Sequence, residues 1–396
     1  MQRIALLAVA LLSAGCASAQ SQTENADPAT TVRAANGVRL TVVEPPIPAA
    51  EAGLQYLFDV PGKGKPVGPV TQQWSMLGRE DRGAATRDSE YRARSCKPLV
   101  RKGANWLGEI VARAADRRVV IVNESHTVTR HRDTIGQIIA ALRPLGYSVY
   151  AAETFGNYGE PTNIETNAEL AWPHLTDGTY TNEAAFGRLI RKAKTLGYRL
   201  AAYEQKREQR AEPGAGLEAD IKARETAQAE NLAEILATMA PDEKLIVHVG
   251  YAHASEVPLP PGGRLWMAAR LQRLTGIDPL TISQTLCSSD GGKPFLAELP
   301  DSEPKSLVDL VLSQPVASFK RSRPAWRRAS GDLEVDIPEV FRAEGVPLVI
   351  EAFRTEEPFA AVPMDRIYVE PGEDIPLLLP PGDYKVRAVV PSFVAR

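Results

Sequence analysis

The sequence predicts an α/β protein: a mainly parallel sheet flanked by helices, followed by a small C-terminal β-rich module. Three observations carry this. Apolar runs of strand length end abruptly in polar side chains, as in RRVVIVNESH at 117–126 and KLIVHVGYAH at 244–253. Amphipathic helical spacings separate such runs, the alternation expected of a parallel sheet. Beyond about residue 300 the chain turns to short apolar runs broken by Pro and Gly, which reads as antiparallel strand.

The bulk properties exclude some functions. The chain has 396 residues, 44% of them hydrophobic, enough for two or three domains. With 46 Lys and Arg against 49 Asp and Glu there is no basic excess, so nucleic acid is not an expected partner. Residues 1–19 carry Arg3, a short apolar run and then small residues, the pattern of a secretory signal peptide. Two cleavage readings stay open. LLSAGC resembles a lipobox and would make Cys16 a lipid anchor to a membrane; ASAQ offers cleavage after Ala19. Either places the protein in the cell envelope, as a periplasmic protein or an outer-membrane lipoprotein. Cys96 and Cys287 remain, and in an oxidising compartment they either pair or stay as free thiols. No later stretch reaches 18 uncharged apolar residues, so no spanning helix is expected after the leader.

In chain order, residues 20–35 are polar and aperiodic, and 20–100 together read as a tether and loop-rich lead-in with one or two strands. Residues 101–300 form the expected α/β core. ANWLGEIVARAAD opens it with a helix, RVVIVN is a buried strand, TIGQIIAALRPLG is an amphipathic helix ending at Gly146, and YSVYAAE is the next strand. An internal repeat follows: LGYSVYAAE at 145–153 matches LGYRLAAYE at 196–204, each after a helix and each ending in Glu. The segment 215–239 is a helix on which Arg224, Gln228 and Asn231 share a face. Residues 301–330 read as a linker and 331–396 as the β-rich module, with PPGDY as the turn before its last strand.

In an open parallel sheet, loops at the carboxyl ends of strands line the ligand crevice. Glu124, His126, Glu153, Glu204 and His253 all sit at such ends, and Arg224 can join them from its helix. Each has a bland reading as a helix cap, a strand-end carboxylate or a surface ion-pair partner. Together they form a candidate site. Carboxylates with imidazoles suit acid–base catalysis or a divalent metal held by Glu124, His126, Glu204 and His253. An arginine would bind an anionic group. His248 alternates within its strand and suits the core or a supporting position. No glycine-rich phosphate loop, GxSxG or CxxC occurs, so a dinucleotide site, a serine-hydrolase elbow and a thioredoxin centre are unsupported.

These motifs resemble the superfamily of the erythromycin esterases, the ChaN-like haem-binding lipoproteins and the TraB/Tiki proteins. NESH at 123–126, AAETF at 151–155, RETAQAENL at 224–232 and GYAH at 250–253 carry the resemblance, over residues 105–290. NESHTVTRH is similar to the ChaN form, with its second histidine at His131; AYEQ at 202–205 is closer to the esterases. Asn123 departs from the usual Gly, and asparagine tolerates left-handed backbone better than most residues, so the turn is expected to survive.

The resemblance implies a cell-envelope hydrolase that cleaves an ester or peptide bond of a small-molecule or peptide substrate, with water as nucleophile. Glu124 and His126 would be general base or metal ligands, and His253 an acid or second ligand. Glu153 and Glu204 would orient or coordinate, and Arg224 would bind substrate. The alternative it implies is a haem- or iron-binding lipoprotein with His131, Tyr251 or His253 as axial ligand. A third reading is an inactive envelope protein whose 331–396 segment mediates contacts.

Overall fold

The computed structural model describes residues 31–33, 37–61, 68–86, 89–99, 105–260 and 262–393. The leader 1–19, Cys16 and most of the 20–35 tether lie outside the described residues.

The fold is α/β, with a large, mainly parallel sheet flanked by helices and a second, strand-rich sheet. Seven strands run across the large sheet in the order Phe295–Ala297, Leu310–Pro315, Leu280–Ser283, Val119–Glu124, Lys244–Gly250, Tyr147–Ala152 and Arg199–Ala201; Ser288–Ser289 pairs off this path. Only the first pair is antiparallel. Side chains alternate between the faces, as a pleated strand requires. Val120, Val122, Tyr150 and Ile246 pack under the helices Trp106–Ala114, Arg130–Leu142 and Ala184–Thr195. Val119, Ile121, Val149 and Val247 face the helices Leu217–Thr238 and Met267–Thr275.

This layering places the site. Val119–Glu124 and Lys244–Gly250 are neighbours, with Glu124 opposite Gly250. The first continues into the Arg130–Leu142 helix on one face, the second into Met267–Thr275 on the other. Loops that leave toward opposite faces open a crevice above the two strand ends.

The second sheet runs in the order Thr31–Arg33, Val38–Pro48, Gly382–Val390, Leu348–Arg354 and Asp365–Val369. Part of the 20–100 lead-in therefore belongs with the C-terminal module: Val38–Pro48 lies parallel to Gly382–Val390. It is among the strands expected in that lead-in, while its partner at the far end of the chain has no local signal. Among the described residues, pairing on the other side of Val38–Pro48 covers only Arg39–Thr41, so Pro45, Pro46 and Pro48 lie in a stretch with no described partner there, where no ladder N–H is needed. The expected 301–330 linker likewise contains Leu310–Pro315, a strand of the large sheet. Ion pairs join the two sheets' layers, among them Arg188–Asp332 at 2.8 Å and the buried Arg191–Glu357 pair at 2.5 Å.

Cys96 and Cys287 form a disulfide, with Cα atoms 5.8 Å apart across 191 residues of sequence. It clips the 89–99 segment to the loop after Leu280–Ser283. Cys96→Ser should cost about 2–4 kcal/mol in urea unfolding under oxidising conditions. An unchanged midpoint would show that the neighbouring backbone bonds, such as Ser288 N–H to Arg94 O at 3.0 Å, hold the segment unaided.

Candidate active site

The site forms around two imidazole–carboxylate pairs on opposite walls of the crevice. On the first wall, Glu124 is fully buried at its strand end. Arg132 donates to it twice, Nε to Oε2 at 2.9 Å and Nη2 to Oε1 at 3.1 Å. His126 donates from Nδ1 to Oε1 at 3.2 Å, and His248 Nε2 lies 3.1 Å from Oε2. Arg132 also donates to Glu183 at 2.7 Å, whose other contacts cap the Ala184–Thr195 helix. Burial pushes the Glu124 carboxyl upward, but the Arg132 charge and the hydrogen-bond donors around the carboxylate outweigh it and hold the group well below the usual carboxylate range.

His126 connects the two walls. Its ring stacks, tilted, on Tyr180 at 4.4 Å and meets Tyr251 edge-on at 5.0 Å. A Cβ added at Gly250 would come within 2.6 Å of His126 Cε1 and Nε2 and 3.0 Å of Glu153 Oε2. Only glycine leaves room for the ring here. Gly250→Ala should displace the imidazole and lower turnover about 100-fold, the scale of a misplacement near 1 Å. Full activity with an unshifted His126 ring resonance would show that the crevice accommodates the methyl.

On the second wall, His253 donates from Nδ1 to the buried Glu225 at 2.9 Å. Glu225 also accepts the Met267 N–H at 2.8 Å. His253 Nε2 faces Glu153 Oε1 at 3.4 Å. Burial lowers the His253 pKa, but Glu153 and Glu225 outweigh this and raise it above the ordinary histidine value. Glu153 is held at about 2: burial opposes its charge, and His253, His126 and Arg224 overcome that. Glu153 also accepts the Gly250 N–H at 2.6 Å. Arg224 bridges Glu153 and Glu204, each at 2.5 Å, and its side chain remains one-third exposed to the crevice. Gln228 donates to Glu204 at 3.0 Å and Asn231 to the Glu204 carbonyl at 3.0 Å, so the shared helix face read from sequence serves this strand end.

The structure thus brings Glu124, His126, Glu153, Glu204, Arg224 and His253 together. It does not bring them together as a metal site. Glu124 is spent on Arg132 and two imidazoles. Both Glu204 oxygens are on Arg224, and His253 Nε2 lies 3.4 Å from that guanidinium. A cation placed among them would meet a fixed positive charge. Among the described residues no three His, Cys, Asp or Glu side chains converge to hold a metal ion.

The expected haem ligands fit no better. His131 is sealed in the core, its Nδ1 accepting the Ser125 N–H at 3.0 Å, and burial lowers its pKa to about 4. It is a structural acceptor rather than an axial ligand. Tyr251 would have to bind as tyrosinate, yet burial pushes its hydroxyl up to about 12. That hydroxyl lies 3.3 Å from the His126 N–H and 3.4 Å from Ser125 Oγ. His253 has Nδ1 on Glu225 and Nε2 among charged groups.

The Asn123 departure also resolves differently from expectation. Asn123 is regular strand, and the residue with left-handed backbone is Tyr251, at φ 37°. The Asn123 amide donates to the Tyr251 carbonyl at 2.7 Å and pins that turn. Sequence reasoning missed Arg132 and Glu225. Their signal was present: each is a charged residue on the apolar stripe of its helix, Arg132 with Ile135 and Ile139, Glu225 with Ala229 and Leu232.

No family model and no curated protein matches this sequence. Solved structures share only distant likeness. The RRSP effector domain of a MARTX toxin from Vibrio vulnificus is 16% identical, with a TM-score of 0.35 over 62% of this chain and 48% of that one, so the chain spans about half its length. The type III effector HopBA1 is 15% identical at a TM-score of 0.33, over 58% and 99%. ChaN of Campylobacter jejuni, solved with cofacial haem, is 10% identical at 0.35, over 52% and 90%.

Proposed function

We propose that this protein is a cell-envelope hydrolase that cleaves an ester or amide bond, with His126 as general base and His253 as general acid. The observation that carries the reading is the orientation of His126. Its Nδ1–H is fixed on buried Glu124, which leaves Nε2 as the lone-pair edge facing the crevice beside Gly250. A water deprotonated there attacks a carbonyl carbon. Arg224, permanently charged and part-exposed, faces the negative charge that develops or an anionic group of the substrate. His253 then protonates the leaving group. Glu153 stays ionised and keeps His253 charged for that step. The envelope placement rests on the leader-like residues 1–19 and is supported by the Cys96–Cys287 disulfide.

A panel of chromogenic esters and fluorogenic peptides, assayed against pH, tests this. The His253 pKa is raised from the ordinary 6.5. The acid is therefore fully charged below 6.5, and kcat/KM falls as the pH rises through the elevated value. The corresponding stability contribution is lost over the same rise. Turnover that persists unchanged through that rise, or that is equal in wild type and His253→Gln, would remove His253 from the acid role.

A further inference from the structure

Glu124 carries more partners than a carboxylate needs to orient one histidine. A carboxylate offers about four acceptor positions, two on each oxygen. Arg132 Nη2 and His126 Nδ1 fill those of Oε1. Arg132 Nε takes one of Oε2. The fourth faces His248, whose Nε2 is buried without an aligned partner and lies 3.1 Å from Oε2. A buried ring N–H needs an acceptor, and this carboxylate oxygen is the one in reach.

Which His248 nitrogen bears the proton is settled from the other side of the ring. Tyr150 O–H is 2.7 Å from Nδ1. Burial pushes the Tyr150 hydroxyl well above its usual value, so it stays a donor. Nδ1 therefore accepts, and the hydrogen sits on Nε2, toward Glu124. Phe186 stacks on the His248 ring at 5.0 Å and 4° and fixes its plane. Tyr150 and His248 are both almost fully buried and touch no crevice. The reaction proposed above does not use them.

We infer that His248, oriented by Tyr150, is a positioning residue for the base: its Nε2–H stands 3.1 Å from the one acceptor position of Glu124 that Arg132 and His126 leave open, so that the carboxylate holds His126 by one hydrogen bond without drawing a second proton onto the ring. This rests on the reading in which His126 acts as base, because a base must be neutral to accept a proton. The groups that face Glu124 come from every element packed around it. They are Arg132 and His131 on the Arg130–Leu142 helix, His126 on its own loop, His248 on the neighbouring strand Lys244–Gly250, Tyr150 one strand further on, and Tyr180 and Tyr251 from the loops above. Glu183 reaches it through Arg132. A carboxylate stripped of one donor is a stronger base and binds an imidazolium more tightly. Tyr150 strengthens the His248 N–H by donating to the same ring, since hydrogen bonds in a chain polarise one another.

The test needs no substrate. The full chain contains five histidines, so ring resonances of histidine-labelled protein can be assigned by single substitutions and His126 titrated by NMR. His248→Phe keeps the stack on Phe186 and removes the donor. It should move the His126 midpoint upward by about one pH unit, a tenfold gain in proton affinity. His248→Asn, which restores an N–H, should return it toward wild type. Tyr150→Phe should shift it in the same upward direction by less. A His126 midpoint unchanged in His248→Phe overturns the inference and leaves His248 a packing residue. Should that variant not fold, Tyr150→Phe decides, and an unchanged midpoint there overturns it equally. Failure of the hydrolase reading is separate, since it would show in turnover and not in the His126 titration.

Discussion

Arg132→Ala should lose about 3–5 kcal/mol of folding stability, the largest effect expected of any single change in the crevice. The side chain is almost fully buried and ties together Glu124, Glu183 and the His126 carbonyl. Alanine removes the cation that two buried carboxylates share. The loss of a hydrogen bond alone would be nearer 1 kcal/mol; the excess is the uncompensated charge. The sign with pH follows. Glu124 is depressed in the fold, so its contribution is present above the ordinary 4.5 and lost as pH falls through its folded value. The deficit of Arg132→Ala should be widest at neutral pH and narrow on acidification below about 4.5. Urea unfolding at pH 7 and pH 4 measures both. A loss under about 1 kcal/mol at pH 7 would mean that water replaces the guanidinium.

His126→Ala should behave in the opposite manner, with turnover down about 10²–10⁴-fold, the usual contribution of a positioned general base. The fold should change little. Glu124 keeps Arg132 and His248, and Tyr180 and Tyr251 can close over the vacated space. Thermal unfolding within about 1 kcal/mol of wild type, together with the lost rate, would separate chemistry from structure. A His126→Ala variant that retains its rate would put the reaction elsewhere.

What the sequence disclosed depended on how each residue signals its place. The strand-end groups Glu124, Glu153, Glu204 and His253 were legible because an apolar run that stops in a polar residue marks both the strand and its carboxyl end. Arg224 was legible from helical spacing. Arg132 and Glu225 were not, since a charge on an apolar stripe looks like an interruption until the buried partner is known. His131 misled for the converse reason: an imidazole near a site resembles a ligand, and only burial shows that its nitrogen serves a backbone N–H. Val38–Pro48 fits the one or two strands expected in the lead-in, but its place in the C-terminal sheet was hidden. Its partner, Gly382–Val390, lies at the far end of the chain, where no local pattern points to it.

That last pairing has a consequence for how the chain folds. Arg39 and Asp383 meet at 3.2 Å although 344 residues separate them. Contacts between distant parts of a chain are slow to form, because loop closure must be met before they contribute. Val38–Pro48 leaves the ribosome early, yet has no permanent neighbour on its parallel side until almost the whole polypeptide is available. The large sheet can assemble earlier, from segments close in sequence. Refolding monitored by hydrogen-exchange labelling should therefore protect Val119–Glu124 and Tyr147–Ala152 before Val38–Val43. In the interval Val38, Leu40 and Val42, which end in the core, are exposed apolar strand, the part of the folding chain most open to chaperone capture or misassociation.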